Sequence, residues 1–154
     1  MGLVPGATFD LQEDEHGVAY DMRKASDRQR VRERVRRDKP FLVAGSPPCV
    51  DWCLYNVAFN HKKMTAAELK RRLIEREVHL RFAVEIYCMQ LAGGRHFLHE
   101  HPLGATSWQE ECIRALARTA GVGTVIGDQC QFGLKTRGPG GQPMLAKKPT
   151  RFLS

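Results

Sequence analysis

The sequence lacks any long hydrophobic segment. No apolar run in its 154 residues approaches the roughly 20 residues that a membrane-spanning helix needs. The first 22 residues contain no Lys or Arg and no long apolar stretch, so we expect no cleavable signal peptide and no membrane partner. Hydrophobic residues make up 42% and charged residues 27% of the chain, which is typical of a globular domain rather than of a disordered one.

The sequence also lacks the even, regular cysteine spacing of a disulfide scaffold. The count is five, which is odd, and the residues are scattered along the chain. This usage favours unpaired thiols in a reducing compartment, and we therefore expect an intracellular protein, cytoplasmic or nuclear. The cysteines are Cys49, Cys53, Cys88, Cys112 and Cys130.

Acidic residues are missing from long parts of a basic chain. The formal net charge is +7, although residues 1–22 carry −5, because residues 23–39 and residues 40–154 carry +6 each. Residues 134–149 contain no acid and are rich in Gly and Pro, which predicts a flexible basic loop. A basic body suits a polyanion, so DNA is the expected partner. For residues 23–39 alone, a solvated Arg-rich helix face is an equally good interpretation.

The pattern of apolar runs and capping residues predicts two segments and an α/β fold. Residues 1–39 form an acidic lead-in followed by a basic helix, and residues 40–154 form the main domain. In that domain, Thr65 and Ser107 each begin a capping-box pattern that opens a helix. The predicted strands are 41–45, 95–100, 123–127 and a last one beginning at 150, and the predicted helices are 26–37, 65–92 and 107–120.

Alternating strands and helices indicate a mostly parallel sheet with helices on both faces. In such a sheet, working groups gather at the carboxyl ends of the strands. Cys49 follows the first of the main domain's strands, Glu100 ends the second, and Asp128-Gln129 follows the third. The sequence therefore predicts a site where these three ends meet.

Two of these residues have the chemistry of a reactive pair. Cys49 follows Pro47-Pro48 after a buried strand, so its thiol is fixed in direction and is a candidate nucleophile. Along the strand that follows, alternation places Glu100 on one face and His99 and His101 on the other. A carboxyl near an apolar strand end is a candidate for a raised pKa, and so for a proton donor.

Several motifs resemble the cytosine-5 DNA methyltransferase family. Gly45-Ser46-Pro47-Pro48-Cys49 resembles its Pro-Cys nucleophile motif, and FLHEHP, which contains Glu100, is similar to its glutamate motif. The segments 128–133 and 148–153 resemble the divergent methyltransferase-like domains of phage and retroelement polyproteins. The resemblance covers residues 40–153, the catalytic half of the family's domain. It implies a partial Rossmann-like methyltransferase fold.

The resemblance also implies a mechanism. A cytosine is flipped out of the duplex, the Cys49 thiolate attacks C6 of its ring, and Glu100 holds N3 and the exocyclic amine. The methyl donor of the family is S-adenosylmethionine. The implied substrate pocket consists of Ser46, Pro47, Pro48, His101, Pro102, Asp128 and Gln129, and the implied phosphate contacts are Arg137, Lys147, Lys148 and Arg151.

The sequence departs from the family in ways that affect these expectations. The Gly-rich cofactor loop is absent, Val50 stands in place of the usual Gln, and His101 stands in place of the usual Asn. We therefore expect a fragment or a degenerate relative, with the cofactor site supplied by the rest of a polyprotein or by a partner chain.

Two other interpretations remain open. The first is a non-catalytic nucleic-acid-binding or assembly module of a mobile-element polyprotein, which needs only the fold and the basic surface. The second is a zinc site, because Cys49 and Cys53 are four residues apart and His99 and His101 lie on one strand face.

Overall fold

The computed structural model describes residues 2, 4–14 and 16–154, and these form a mixed α/β fold. The helices are α1 (Ala25–Asp38), α2 (Ala66–Ala92) and α3 (Glu111–Ala117). The strands are β1 (Leu42–Gly45), β2 (His96–Pro102), β3 (Thr124–Asp128), β4 (Lys135–Arg137), β5 (Pro143–Leu145) and β6 (Pro149–Leu153). Short helical turns connect them at Val50–Trp52, Asn56–Asn60, His61–Lys63, Thr106–Gln109 and Gln129–Phe132.

The main sheet is mixed rather than mostly parallel. Its strand order is β1-β2-β6-β3, and only β1 and β2 pair in parallel, with Val43 opposite Phe97. The last strand, β6, runs antiparallel between β2 and β3 and separates them. Because β6 opposes both neighbours, β1, β2 and β3 still run in one direction, and their carboxyl ends lie at the same edge of the sheet.

The predicted flexible loop at residues 134–149 contains regular structure. Within it, β4 and β5 pair in antiparallel fashion as a separate two-stranded sheet, with Thr136 opposite Met144. We refer to residues 134–146 as the ribbon. The segment predicted as a flexible basic loop therefore contains a short two-stranded sheet, and most of its residues are exposed.

One face of the main sheet carries the core. Phe97 is 1% exposed and packs with buried residues from α2 and α3, including Tyr87 and Ile113. On the opposite face, Ala44 and Val125 are exposed, so among the described elements the helices do not cover both faces as predicted. A second cluster joins α1 to α2, and its buried members are Tyr20, Val31, Val35, Phe82 and Ile86.

The two predicted capping boxes have different outcomes. Thr65 caps α2 as predicted, because its side-chain oxygen accepts a hydrogen bond of 3.2 Å from the backbone N–H of Glu68. Ser107 does not cap a helix: it is fully buried, and its hydroxyl contacts His101 instead. The helix after it begins only at Glu111, because a tertiary hydrogen bond uses the hydroxyl that the cap would need. None of the described helices is both long enough and apolar enough to cross a membrane.

Gly45, the last residue of β1, has no room for a side chain because a buried tyrosine fills the space beside it. A Cβ atom built on Gly45 would lie 2.0 Å from the hydroxyl oxygen of Tyr87 and 3.0 Å from the ring carbon that carries it. Tyr87 is 1% exposed, and its ring stacks on Phe97 with the centroids 4.8 Å apart. The ring therefore has no room to move away from a larger residue.

We expect Gly45→Ala to lower the free energy of unfolding by about 1–3 kcal/mol, the usual cost of overpacking a core. Gly104→Ala is the matched control, because an added Cβ there meets no atom within 4 Å. Urea unfolding midpoints measure both changes. Adding Tyr87→Phe to Gly45→Ala should recover part of the loss, and equal midpoints for the two glycine variants would contradict the packing described here.

Candidate functional site

The Glu100 carboxylate, at the carboxyl end of β2, is the centre of the candidate site. Its side chain is 17% exposed. The Ser46 hydroxyl donates to Oε2, the Gln129 amide donates to Oε1 at 3.1 Å, and the Lys148 ammonium lies 3.4 Å from Oε1. The structure therefore brings together the ends of β1, β2 and β3, as the sequence predicted, and adds Lys148 from the segment before β6.

The Ser46 contact places the Gly-Ser-Pro-Pro-Cys turn beside Glu100. β1 and β2 are neighbouring parallel strands with Gly45 opposite His99, so Ser46 follows β1 at the level of Glu100. Cys49 lies three residues further along and is half-buried, and its carbonyl accepts a hydrogen bond of 3.0 Å from the N–H of Trp52. The described hydrogen bonds connect this turn to Glu100 through Ser46.

Gln129 and Lys148 connect the ends of β3 and β6 to the same carboxylate. The Gln129 side-chain amide donates at 3.1 Å both to Glu100 and to the Thr150 hydroxyl. Thr150 is fully buried and donates in turn to the Lys148 carbonyl at 3.1 Å. The backbone N–H of Gln129 donates to that carbonyl as well, at 3.1 Å. These bonds fix the Gln129 amide in direction.

His101 is not part of a substrate pocket, contrary to the expectation from the resemblance. It is fully buried and lies on the face of β2 opposite Glu100. Burial lowers its pKa, so the ring is neutral and donates only through Nε2, which bonds the Pro47 carbonyl at 2.8 Å. Nδ1 then accepts from the Ser107 hydroxyl at 2.6 Å. His101 therefore contacts the turn that carries Cys49 from the core face of the sheet.

His99 extends this buried polar row. It is fully buried, and its Nδ1 lies 3.1 Å from the Tyr87 hydroxyl. Burial lowers the pKa of His99 to about 3, and the neighbouring His101 adds a smaller effect in the same direction. Burial also raises the pKa of Tyr87, so both groups are neutral near pH 7.

The remaining predicted residues do not contact Glu100 in the described hydrogen bonds and ion pairs. Pro102 continues β2, and its carbonyl accepts from the Trp108 indole at 2.8 Å. Asp128 ends β3 with its carboxylate 3.8 Å from the Lys147 ammonium. Pro48 is exposed in the turn, and Arg137 is exposed on β4.

Arg151 does not join the exposed basic residues. Its guanidinium lies 5.0 Å from the Trp108 ring centroid, and its Nε is buried. The pairing of Arg151 with His101 explains this, because it puts the Arg151 side chain on the core face of the sheet. The structure therefore packs Arg151 against Trp108.

Sequence reasoning missed a second polar cluster, in residues that it interpreted as irregular. The Asp51 carboxylate, 14% exposed, accepts from His61 and from Arg72, both at 3.1 Å. The Asp51 carbonyl accepts from Arg76 at 2.7 Å, and the Arg76 guanidinium lies 4.0 Å from the Trp52 ring centroid. This cluster fastens the segment after Cys49 to α2. No periodic signal marked it, because its members come from separate elements.

The zinc interpretation finds no support in the geometry. His99 and His101 do lie side by side, with ring centroids 4.9 Å apart. Within residues 2, 4–14 and 16–154, however, no group of three or more His, Cys, Asp or Glu side chains comes together as a metal site requires.

The residues at the strand ends do not fit S-adenosylmethionine, the cofactor that the resemblance implies. A nucleotide-like cofactor needs backbone that it can approach closely, which glycine after a strand provides. Gly45 is covered by the buried Tyr87 ring, which leaves no room for a Cβ atom there. A side chain of this chain therefore occupies the position beside the end of β1, and we derive no reaction step through this cofactor.

No protein-family model, no curated protein and no solved structure matches this chain.

The neutral buried His99 makes stability depend on pH. Below pH 6.5 the unfolded chain binds a proton at His99 that the folded chain excludes until about pH 3, so folding loses stability as the pH falls through this range. The His99 contribution to the slope approaches about 1.4 kcal/mol per pH unit, the value for one proton, and His101, whose pKa burial also lowers, adds to it. Urea unfolding of the wild type from pH 7.5 to about 5 measures it.

The control variants isolate His99 from the carboxylates. His99→Phe should lower the slope by about the value for one proton and leave the part that the buried His101 supplies, whereas His96→Gln, on the same strand but exposed, should leave the slope unchanged. If His99→Phe and the wild type showed parallel curves, His99 would not be the neutral buried group described here.

Proposed function

We propose that this domain is cytosine-5 DNA methyltransferase-like: it binds DNA and carries the nucleophile and the acid that add to a cytosine ring. The observation that carries the proposal is the hydrogen bond from Ser46 to Glu100. It joins the turn ending in Cys49 to the glutamate of the neighbouring parallel strand. The two motifs that resemble the family are 51 residues apart in sequence, and their juxtaposition in space supports assigning them to one site.

The proposed reaction needs a thiolate and a proton donor on one ring. The Cys49 thiol loses its proton to solvent, and its sulfur forms a bond to C6. Glu100 takes up a proton from solvent, which balances the one that Cys49 releases. The C5=C6 electron pair shifts to C4–C5, and the C4=N3 pair moves onto N3, which takes that proton from the Glu100 carboxyl. Elimination reverses these steps and frees Cys49. Sulfur suits this chemistry because it both adds and leaves.

The neighbours of Glu100 supply orientation. A carboxylate offers about four acceptor directions, and three donors occupy it here. The remaining direction is available for the proton that N3 receives. Methyl donation lies outside this proposal, and a polyprotein segment or a partner chain would have to bring the cofactor site.

A second candidate is a non-catalytic nucleic-acid-binding module. The observation that favours it is the charge of the last 26 residues, which contain five Lys or Arg and no acid. This candidate needs neither Cys49 nor Glu100. DNA binding without a covalent adduct therefore distinguishes it from the first candidate in the same experiment.

The test is an intact-mass measurement of the folded protein after incubation with a DNA oligonucleotide carrying 2-pyrimidinone in place of cytosine. This base accepts thiolate attack without methyl transfer. We expect a protein–DNA adduct in the wild type and none in Cys49→Ala. Cys88→Ala is the matched control, since Cys88 is an exposed thiol on α2, and it should keep the adduct. Glu100→Gln should slow adduct formation by about 10²- to 10⁴-fold.

Two results would reject the catalytic proposal. The first is an absent adduct in a wild-type protein that binds the oligonucleotide, which would favour the non-catalytic module. The second is an adduct that persists in Cys49→Ala, which would assign the nucleophile to another thiol.

A further inference from the structure

The ribbon begins and ends at the candidate site. Gln129, before it, and Lys148, after it, both reach Oε1 of Glu100. Their backbones are also bonded to each other, because the Gln129 N–H donates to the Lys148 carbonyl at 3.1 Å. The residues that flank the two ends of the ribbon are therefore both held at the Glu100 carboxylate.

Backbone hydrogen bonds define the shape of the ribbon. The Ala146 N–H donates to the Leu134 carbonyl at 2.9 Å, and the Leu134 N–H donates to the Gln129 carbonyl at 3.2 Å, which closes its base. At its tip, Gly138 and Gln142 are bonded at 2.8 Å, and Gly141 supplies the positive φ that the turn requires. In the part of the chain that the structure describes, no third strand pairs with this two-stranded antiparallel ribbon.

Apolar side chains on the ribbon and next to it in the sequence are exposed. Phe132 is 76% exposed, Leu145 is 63% exposed and Met144 is 47% exposed. The Phe132 ring lies against Gly127 near the end of β3. Met144 and Leu145 are neighbours on β5 and therefore lie on opposite faces of the ribbon. An isolated two-stranded ribbon is marginally stable in water, and exposed apolar side chains on both of its faces mark it as an interaction surface.

Charge identifies what covers this surface. Residues 129–154 contain no acid, and Lys135, Arg137 and Lys147 are all exposed beside the apolar side chains. Such a surface repels a second copy of itself, whereas it complements a polyanion. A two-stranded ribbon also has the dimensions that fit the major groove of DNA.

We propose that the ribbon lies in a groove of duplex DNA next to the base that Glu100 receives, with Lys135 and Arg137 on phosphates and Phe132 packed against the base stack. The proposal rests on the proposed function for its choice of DNA, and it names the element that grips the duplex. An aromatic wedge beside a site that takes up a single base lowers the cost of opening the stack there.

The charge half of the proposal is tested by the salt dependence of binding. A fluorescein-labelled duplex is titrated with wild type, with Lys135→Gln/Arg137→Gln, and with the control Lys62→Gln/Lys63→Gln, which removes two exposed charges elsewhere. Each lost phosphate contact lowers the slope of log K against log salt by about one, so the ribbon variant should lose about two units. The control should keep the wild-type slope.

The wedge half is tested with 2-aminopurine in the duplex, whose fluorescence rises when the base unstacks. The wild type should raise it, and Phe132→Ala should abolish the rise and weaken binding by roughly 5- to 150-fold. Phe59→Ala is the matched control, because Phe59 is 62% exposed but lies in the turn at residues 56–60. A labelled single strand serves as the comparison ligand.

The outcomes separate this proposal from the proposed function. Equal slopes for the two double variants, or tighter binding of the single strand than of the duplex, overturn the ribbon proposal and leave the Cys49 adduct test standing. Ribbon-dependent duplex binding without any Cys49 adduct supports the ribbon and rejects the catalytic proposal. Self-association through the ribbon without DNA binding overturns the ribbon proposal in favour of a second copy.

Discussion

The Glu100 carboxylate holds together segments that lie far apart in the chain. Ser46, Gln129 and Lys148 each direct a donor at it, and these donors come from the ends of β1, β3 and the ribbon. A carboxylate that is largely removed from water must be matched by donors, because unsatisfied polar groups are costly to bury. That constraint fixes the positions of the turn carrying Cys49 and of the residues flanking the ribbon relative to β2.

The two faces of β2 have different roles. Glu100 points to the open side of the sheet, while His99 and His101 point into the core, where burial keeps them uncharged. Through the Pro47 carbonyl, His101 reaches the same turn that Ser46 joins to Glu100. The turn is thus held from both faces by residues one position apart, which gives the backbone before Cys49 little freedom.

The open face of the sheet is the surface on which both proposed functions place DNA. The helices pack on the core face, so the edge around Glu100 and the exposed ribbon lie uncovered by them. A ligand approaching this edge meets basic and apolar side chains before it meets the carboxylate. The proposed functions differ in the chemistry at Cys49 but share this surface.

The sequence by itself determined the features that depend on neighbouring residues. The apolar run at β1, the Thr65 cap of α2, and the alternation that separates Glu100 from His101 are all local, since each follows from side-chain spacing along one element. Tertiary structure alone decided the rest. Because β6 pairs between β2 and β3, the sheet is mixed, Arg151 packs against Trp108, and Lys148 lies beside Glu100. The Ser107 hydroxyl bonds His101 and therefore does not form the predicted helix cap. These outcomes depend on residues far apart in the chain, whose contacts no local pattern encodes.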